Sequence, residues 1–314
     1  MNRVLTRLTA TYLLTPEEAH VLALSTVRTR LLATLSVKTD SDHAIEHAAK
    51  AGNLEMLNRL YPTCRRWQFG NVSAQAAENG HLNVVKWMRA QGLPWDAWTC
   101  HVAAEGGHLR LLAWAHAHGC EWDETTTASA ALGGHLETLK WLRKHGCPWD
   151  ARTTINAAER GHLRILKWVR ARGCPWGAWT CNRAAQGGYL GTLSWAITHG
   201  CATDQNLCGA AARGGHLKIL QWLRKRGYDW DAGVCAGAAY NGHLSLLKWA
   251  HENGCPWDER TCAYAAARGD LEMLQWARAN GCPWDERTWK LANEKEDNGA
   301  MLSWLRENGC PGAS

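Results

Sequence analysis

Apolar residues along this chain recur with helical spacing, and the spaced pattern is itself repeated. Leu163, Leu166 and Val169 lie on one stripe of a helix and Ile165 and Trp168 on an adjoining one, so this segment is apolar on two sides. The stretch before it reads as another short helix, which Asp150 is placed to cap. That helix turns Cys or Thr and the small pair Ala157-Ala158 to one side, and Gly161 ends it in the left-handed conformation. Gly173 stops the second helix, Pro175 prevents its restart, and Trp176 is expected to fold back over the loop. Helices of about 9 to 11 residues do not hold together as an isolated pair. Stacking on a neighbour buries the second apolar side.

The neighbours are copies. The tryptophan of the second helix recurs every 27 residues at Trp87, Trp114, Trp141, Trp168, Trp195, Trp222, Trp249 and Trp276, with Trp304 following after 28. A fixed period of this size marks a solenoid. The Gly-x-Leu marker begins at Gly52 and recurs through Gly269, giving nine units, and a tenth, degenerate one carries Trp304. The first unit departs from the pattern, with Arg59 in the tryptophan position and Pro62 ending its second helix, as a terminal unit facing water allows. Residues 43–314 therefore read as an all-α solenoid of about ten helix pairs. One internal departure stands out: Tyr189 replaces histidine, Ala202-Thr203 replaces Pro-Trp, and Leu207 replaces threonine. A softer junction is expected near residue 203.

The run A-A-x-x-G-H-L-x-x-L-K-W-L-x-x-x-G-C, in register from the alanine pair through two glycines twelve residues apart, is similar to the ankyrin repeat. The unit is shorter than the usual ankyrin length of about 33 residues, and the missing residues fall where an ankyrin repeat makes its β-hairpin. The resemblance thus implies an ankyrin-like α-solenoid with shortened Pro-Trp-Asp loops and little or no β structure. Short, tryptophan-rich arrays of this kind resemble those of protists and of large DNA viruses. The resemblance also implies protein partners gripped along the concave face made by the first helices.

Composition changes this picture little. The chain has 314 residues, 20 Trp against 1 Phe, 13 Cys and a formal net charge of +6. The tryptophans, at fixed unit positions, are expected to act as core residues. The basic side chains, among them Lys140, Arg143, Arg170, Lys218 and Arg224, read as a solvated second-helix face, so nucleic acid is not the expected partner. No apolar run reaches membrane-spanning length, and no secretory signal opens the chain. The cysteines fall in columns, one after the second glycine (Cys120, Cys147, Cys174, Cys201, Cys255, Cys282, Cys310) and one at the start of the first helix (Cys100, Cys181, Cys208, Cys235, Cys262). Column neighbours about 10 Å apart cannot bridge within the roughly 7 Å that a disulfide allows. Buried, reduced thiols fit a cytoplasmic or nuclear setting, host cytoplasm for a viral chain.

Catalytic patterns are absent. His43-Ala44-Ile45-Glu46-His47 matches H-x-x-E-H in form, but it aligns with the first helix of unit one and has no recognisable third ligand. The marker histidines form a column and suit hydrogen bonding at a helix start. No phosphate-binding loop or nucleophile elbow occurs, so neither an enzyme nor a cofactor is expected.

Position-to-position variation is more informative. Counting from Thr99 at 100° per residue, the third and sixth residues after the origin face away from the alanine pair. They read Val102/Glu105, Ser129/Leu132, Asn156/Glu159, Arg183/Gln186, Ala210/Arg213, Gly237/Tyr240 and Tyr264/Ala267 along the array. Glu105, Asn156, Glu159, Arg183, Gln186, Arg213, Tyr240, Tyr264 and Arg268 are the candidate partner-binding residues, since Tyr and Arg dominate binding hot spots. The expected function is a monomeric, non-catalytic interaction scaffold. Residues 1–42 do not repeat. Thr15-Pro16-Glu17-Glu18 starts a helix, and Leu14 to Leu31 resembles the latter half of an F-box without its opening. This segment reads as a helical cap, or alternatively as the docking module of a cullin-type ubiquitin-ligase substrate receptor.

Overall fold

The computed structural model describes residues 43–63, 72–295 and 298–313; the N-terminal helix and F-box resemblance lie outside them. Among the described residues there are twenty α-helices, one 3-10 turn (Tyr61–Thr63) and no strand. Two compact units form, one from residues up to 103 with 110–121, the other from 104–109 with 122–314. The first contains α1 (residues 43–50), α2 (Leu54–Leu60), α3 (Val72–Glu78) and α4 (Leu82–Ala90). Between them the units share α5 (Ala97–Glu105) and α6 (Leu109–Ala117). The second unit holds seven further pairs: α7 (Glu124–Leu132) with α8 (Leu136–Lys144), α9 (Ala151–Glu159) with α10 (Leu163–Arg170), α11 (Ala178–Gly187) with α12 (Leu190–Thr198), α13 (Leu207–Arg213) with α14 (Leu217–Lys225), α15 (Ala232–Asn241) with α16 (Leu244–Glu252), α17 (Glu259–Arg268) with α18 (Leu271–Ala279), and α19 (Glu286–Asn293) with α20 (Gly299–Glu307). The missing hairpins are as the shortened period implies.

Within the second unit each first helix lies against the next, from α7 through α19. The alanine pairs make this possible: Ala157, Ala158, Ala184, Ala185, Ala211, Ala212, Ala238 and Ala239 are fully buried. Asp123, Asp150, Asp231, Asp258 and Asp285 cap first helices by accepting a backbone N–H two residues on. The second helices bury Ile165, Leu166 and Val169 and their counterparts. All described cysteines are free and buried. In the column after the second glycine, thiols donate to cap-residue carbonyls, Cys147 to Asp123 at 3.3 Å and Cys174 to Asp150 at 3.4 Å. Burial pushes both thiols up to about 12. The two columns also meet, Cys181 sharing a hydrogen bond with Cys201 that, with burial, raises it.

Within each compact unit, successive repeats are joined by a contact between a ring and a glycine. Each marker glycine has φ between 68° and 88°, which leaves its Cα bare toward the next unit. The His135 ring covers Gly107, His162 covers Gly134, His216 covers Gly188 and His243 covers Gly215, so that a Cβ on any of these glycines would overlap the imidazole. From there Nε2–H donates to the carbonyl ending the preceding first helix: His162 to Leu132 at 3.1 Å, His216 to Gln186 at 3.0 Å, His243 to Arg213 at 3.1 Å. In the first unit His81 covers Gly52 and donates to Lys50 at 2.9 Å. The histidines thus occupy helix starts but make no side-chain cap there, which corrects the expected role. Where the column changes, the lock is rebuilt. Tyr189 covers Gly161. Asp270 caps its own helix, while Arg268 covers Gly242 and donates to the Tyr240 carbonyl at 3.3 Å. Lys295 does the same over Gly269, donating to the Arg268 carbonyl.

The tryptophans are a second correction. None among the described residues is fully buried. They form a half-exposed ladder in which each loop ring meets the next second-helix ring, as in Trp122–Trp141 at 5.7 Å and Trp149–Trp168 at 6.0 Å. The arginines of the second helix are more than a solvated face. Arg143 lies 4.1 Å over Trp149, Arg170 4.2 Å over Trp176, Arg224 4.2 Å over Trp230, and Arg278 4.1 Å over Trp284. Each also donates to the backbone carbonyl two residues before its tryptophan. In the first unit Arg89 covers Trp95 and Trp95 meets Trp114.

The ladder breaks at one place. Thr203 replaces the loop tryptophan, and Ile197 replaces the arginine that would cover it. Beside the break α13 starts late, at Leu207, behind a turn at residues 205–206, with no side-chain cap from Asn206. Asn182 bridges the junction, its Nδ2 donating to both Asp204 oxygens at 3.1 Å. A stacked guanidinium contributes about 0.5–1 kcal/mol and an edge-to-face pair about 0.5–1.5 kcal/mol. Amides of residues 201–207 should therefore exchange faster than those of residues 174–180; equal protection in the two loops would contradict the soft junction. Gly188→Ala should cost about 2–4 kcal/mol in urea unfolding, because it combines a left-handed Cβ with overlap on His216. Gly200→Ala, at φ 82° with open space around it, should cost only about 1–2 kcal/mol. Equal costs would refute the ring contact.

Candidate partner-binding surface

The first helices present one row of side chains on the side away from their alanine pairs. In the second unit the sixth-position residues, Glu105, Glu159, Gln186, Arg213 and Tyr240, are half-exposed or exposed. The third positions depart from expectation. Ser129, Ala210 and Gly237 are buried against neighbouring helices, and in the first unit so is Val102. Consecutive first helices approach closely enough to cover a residue there.

Several candidates are tied into the stack. Asn156 donates to the Ala128 carbonyl at 3.1 Å. Arg183 pairs with Glu159 across two units, Nε to Oε2 at 3.7 Å, and contacts the Gln186 amide oxygen at 3.4 Å. With Tyr189 these residues line an open groove of about 360 Å3. Arg268 serves the glycine lock described above. Glu105, Arg213, Tyr240 and Tyr264 remain on the surface, with Tyr240 and Tyr264 edge-to-face at 5.3 Å.

The lock and this row are coupled. The carbonyls of Gln186, Arg213 and Tyr240 each accept the donor of the next unit, so the backbone carrying these three side chains is fixed from behind. The Glu105 carbonyl likewise receives His135, whose pKa is lowered because burial disfavours its charged form, partly offset by that hydrogen bond.

One further column stands on this face. Trp179 is 63% exposed in the first turn of α11, and Arg152, Gly233 and Arg260 are its counterparts. It is one turn before Arg183 and two before Gln186, so an i, i+4, i+7 register would have found it. In this column Arg152 binds Asp150 and Glu124, both at 2.9 Å, and Arg260 binds Asp258 at 2.7 Å. Among the described residues no three His, Cys, Asp or Glu side chains gather as metal ligands would, and His43 and His47 lie on α1 beside the buried Ala48-Ala49 pair. No described helix is long and apolar enough to cross a membrane.

A family model for ankyrin repeats (many copies) matches residues 100–143 and 237–278. These segments are ankyrin repeats. The units between them keep the 27-residue period, the buried alanine pair and the covered left-handed glycine. No curated protein matches the sequence. Among solved structures the chain is similar to the human ASB11 ankyrin repeat domain, at 17% identity and a TM-score of 0.40, over 50% of this chain and 84% of that one. It is also similar to the pentatricopeptide repeat protein PPR10 in complex with an 18-nt psaJ RNA element, at 14% identity and a TM-score of 0.43, over 86% of this chain and 49% of that one.

The lowered pKa of His135 sets a direction for pH dependence. Above about 6.5 neither the folded nor the unfolded chain carries the proton, and the contact stands in full. As pH falls below 6.5 the unfolded chain takes up the proton first, so stability declines until the folded-state pKa is passed. The urea midpoint should drop between pH 6.5 and 5, and less steeply in His135→Gln, which keeps an N–H donor but does not titrate. An unchanged slope in the variant would show that His135 is not the group responsible.

Proposed function

We propose that the chain is a non-catalytic protein-interaction scaffold that takes its partner along the first-helix face of the second unit. Ankyrin repeats generally mediate protein–protein interaction, and the repeat itself is here. The observation supporting this face is a division of labour. The second-helix side spends its tryptophans and arginines on one another, whereas the first-helix side holds Trp179, Arg213, Tyr240 and Tyr264 in positions that inter-unit packing leaves exposed or half-exposed. Aromatic and arginine side chains supply most hot-spot energy in protein interfaces. The grading from Glu105 and Glu159 toward Arg213 and Tyr240 would give such an interface polarity along the array.

A photo-crosslinking residue placed in the full-length chain tests this reading in cells. Positions 105, 186 and 240 should form discrete protein adducts, and positions 140, 167 and 218 on the second helices should form few. The reverse distribution would overturn the assignment. A second reading rests on the F-box-like run from Leu14 to Leu31: the array would then present substrates to a cullin-type ubiquitin ligase. Leu24→Asp with Leu31→Asp would abolish recovery of a ligase adaptor in that case and leave partner recovery unchanged in the scaffold case.

A further inference from the structure

The first-helix face is interrupted between α13 and α17 by an open groove of about 400 Å3. Its floor includes Gly233 and Gly237, one turn apart on α15, where other units carry Arg152 and Asn156 or Trp179 and Arg183. Glycine is among the poorest helix formers, so two in one helix call for a reason. Gly237 has one: a Cβ there would come within 3.0 Å of Arg213 Cγ. Without it the Arg213 stem lies across α15 into the groove. Over Gly233 the nearest atoms are those of its own cap, Asp231, and the rest of the space is open.

Charge within the groove is uneven. Arg213 is exposed, and among the described residues no carboxylate comes within ion-pairing distance of it. Arg260 reaches the same groove already paired with Asp258 at 2.7 Å. Asp231, also at the groove, accepts the Gly233 N–H at 3.0 Å. Tyr240, 58% exposed, and Tyr264 form an aromatic wall.

We infer that this groove binds an extended acidic peptide segment of a protein partner, with one Asp or Glu carboxylate on Arg213 and a neighbouring apolar side chain laid over Gly233 against the two tyrosines. The inference rests on reading the first-helix face as the partner surface, and it names the partner's chemistry. A guanidinium binds a carboxylate through two parallel hydrogen bonds, and the bare Gly233 lets a peptide backbone approach. One unpaired cation matches one carboxylate. A phosphate dianion or a nucleic-acid backbone calls for several cations, and Asp231 would oppose their larger charge more than that of a single carboxylate.

The test pans a phage-displayed random peptide library on the full-length protein, then measures selected fluorescein-labelled peptides by anisotropy. Enriched peptides should carry an acidic residue next to an apolar one and weaken as salt rises. Arg213→Gln, or Glu→Gln in the peptide, should each reduce affinity at least tenfold, and Gly233→Leu should do the same by filling the floor. Lys140→Gln, on the second-helix side, should leave binding unchanged, and each variant's unfolding midpoint is checked against the parent. The peptide substitution needs no change to the protein, so a variant that misfolds does not decide the outcome. No enrichment, or enriched peptides without an acidic residue, overturns the inference. Peptides lost on Trp179→Ala but retained by Arg213→Gln overturn the groove and leave the first-helix face as the partner surface. Peptides insensitive to Arg213→Gln, Gly233→Leu and Trp179→Ala alike overturn both.

Discussion

The ring that closes over a left-handed glycine is the contact on which this architecture depends. A helix pair of this length has too little core to fold alone, so its stability lies in the junctions, and junction energies in such arrays are nearly additive along the chain. Each junction needs a bare backbone patch on one unit and a donor-bearing side chain on the next. Glycine at positive φ supplies the patch. Histidine supplies a flat ring and one N–H at the required distance, and Tyr189, Arg268 and Lys295 cover the glycine where histidine is replaced. The variety of side chains shows that covering the glycine is the constraint and the imidazole only its commonest solution.

The same contact shapes the surface opposite. Because the locks donate their hydrogen bonds to the carbonyls of Gln186, Arg213 and Tyr240, they hold the backbone of the exposed row while leaving its side chains outward. A partner meeting that row would encounter groups already positioned, which lowers the ordering cost of binding. The second-helix side is used differently. There a ladder of tryptophans, covered by arginine or, at Trp257, by the His251 ring, ties loops to the next helix, and it is interrupted where Ile197 and Thr203 stand in place of both partners.

Much of this was legible in the sequence because a repeat displays its own rules. The 27-residue period, the Asp caps and the left-handed glycines follow from local chemistry that one unit states and the others echo. What could not be read were contacts between units. Tryptophan at a fixed position looks the same whether buried or stacked half-exposed under an arginine six residues earlier. Histidine at a helix start suggests a cap, yet its ring turns toward the previous unit, because the cap direction offers no bare backbone to cover. Position counting from Thr99 found Arg213 and Tyr240 but treated Ala210 and Gly237 as surface, since angular spacing on one helix says nothing about how near the adjacent helix lies. Arg268 likewise has a contact that spacing on one helix does not reveal. It covers Gly242 because Asp270 has no proton to give.

A double-mutant cycle on Gly134 and His162 tests the central contact most directly, with unfolding free energies measured for Gly134→Ala, His162→Ala and the pair. If the imidazole lies on the glycine, removing it makes room for the new Cβ, and the pair should be less destabilising than the sum of the single changes by about 1–2 kcal/mol. Additive costs would contradict the account, because they would mean that glycine is required at residue 134 for its backbone conformation alone.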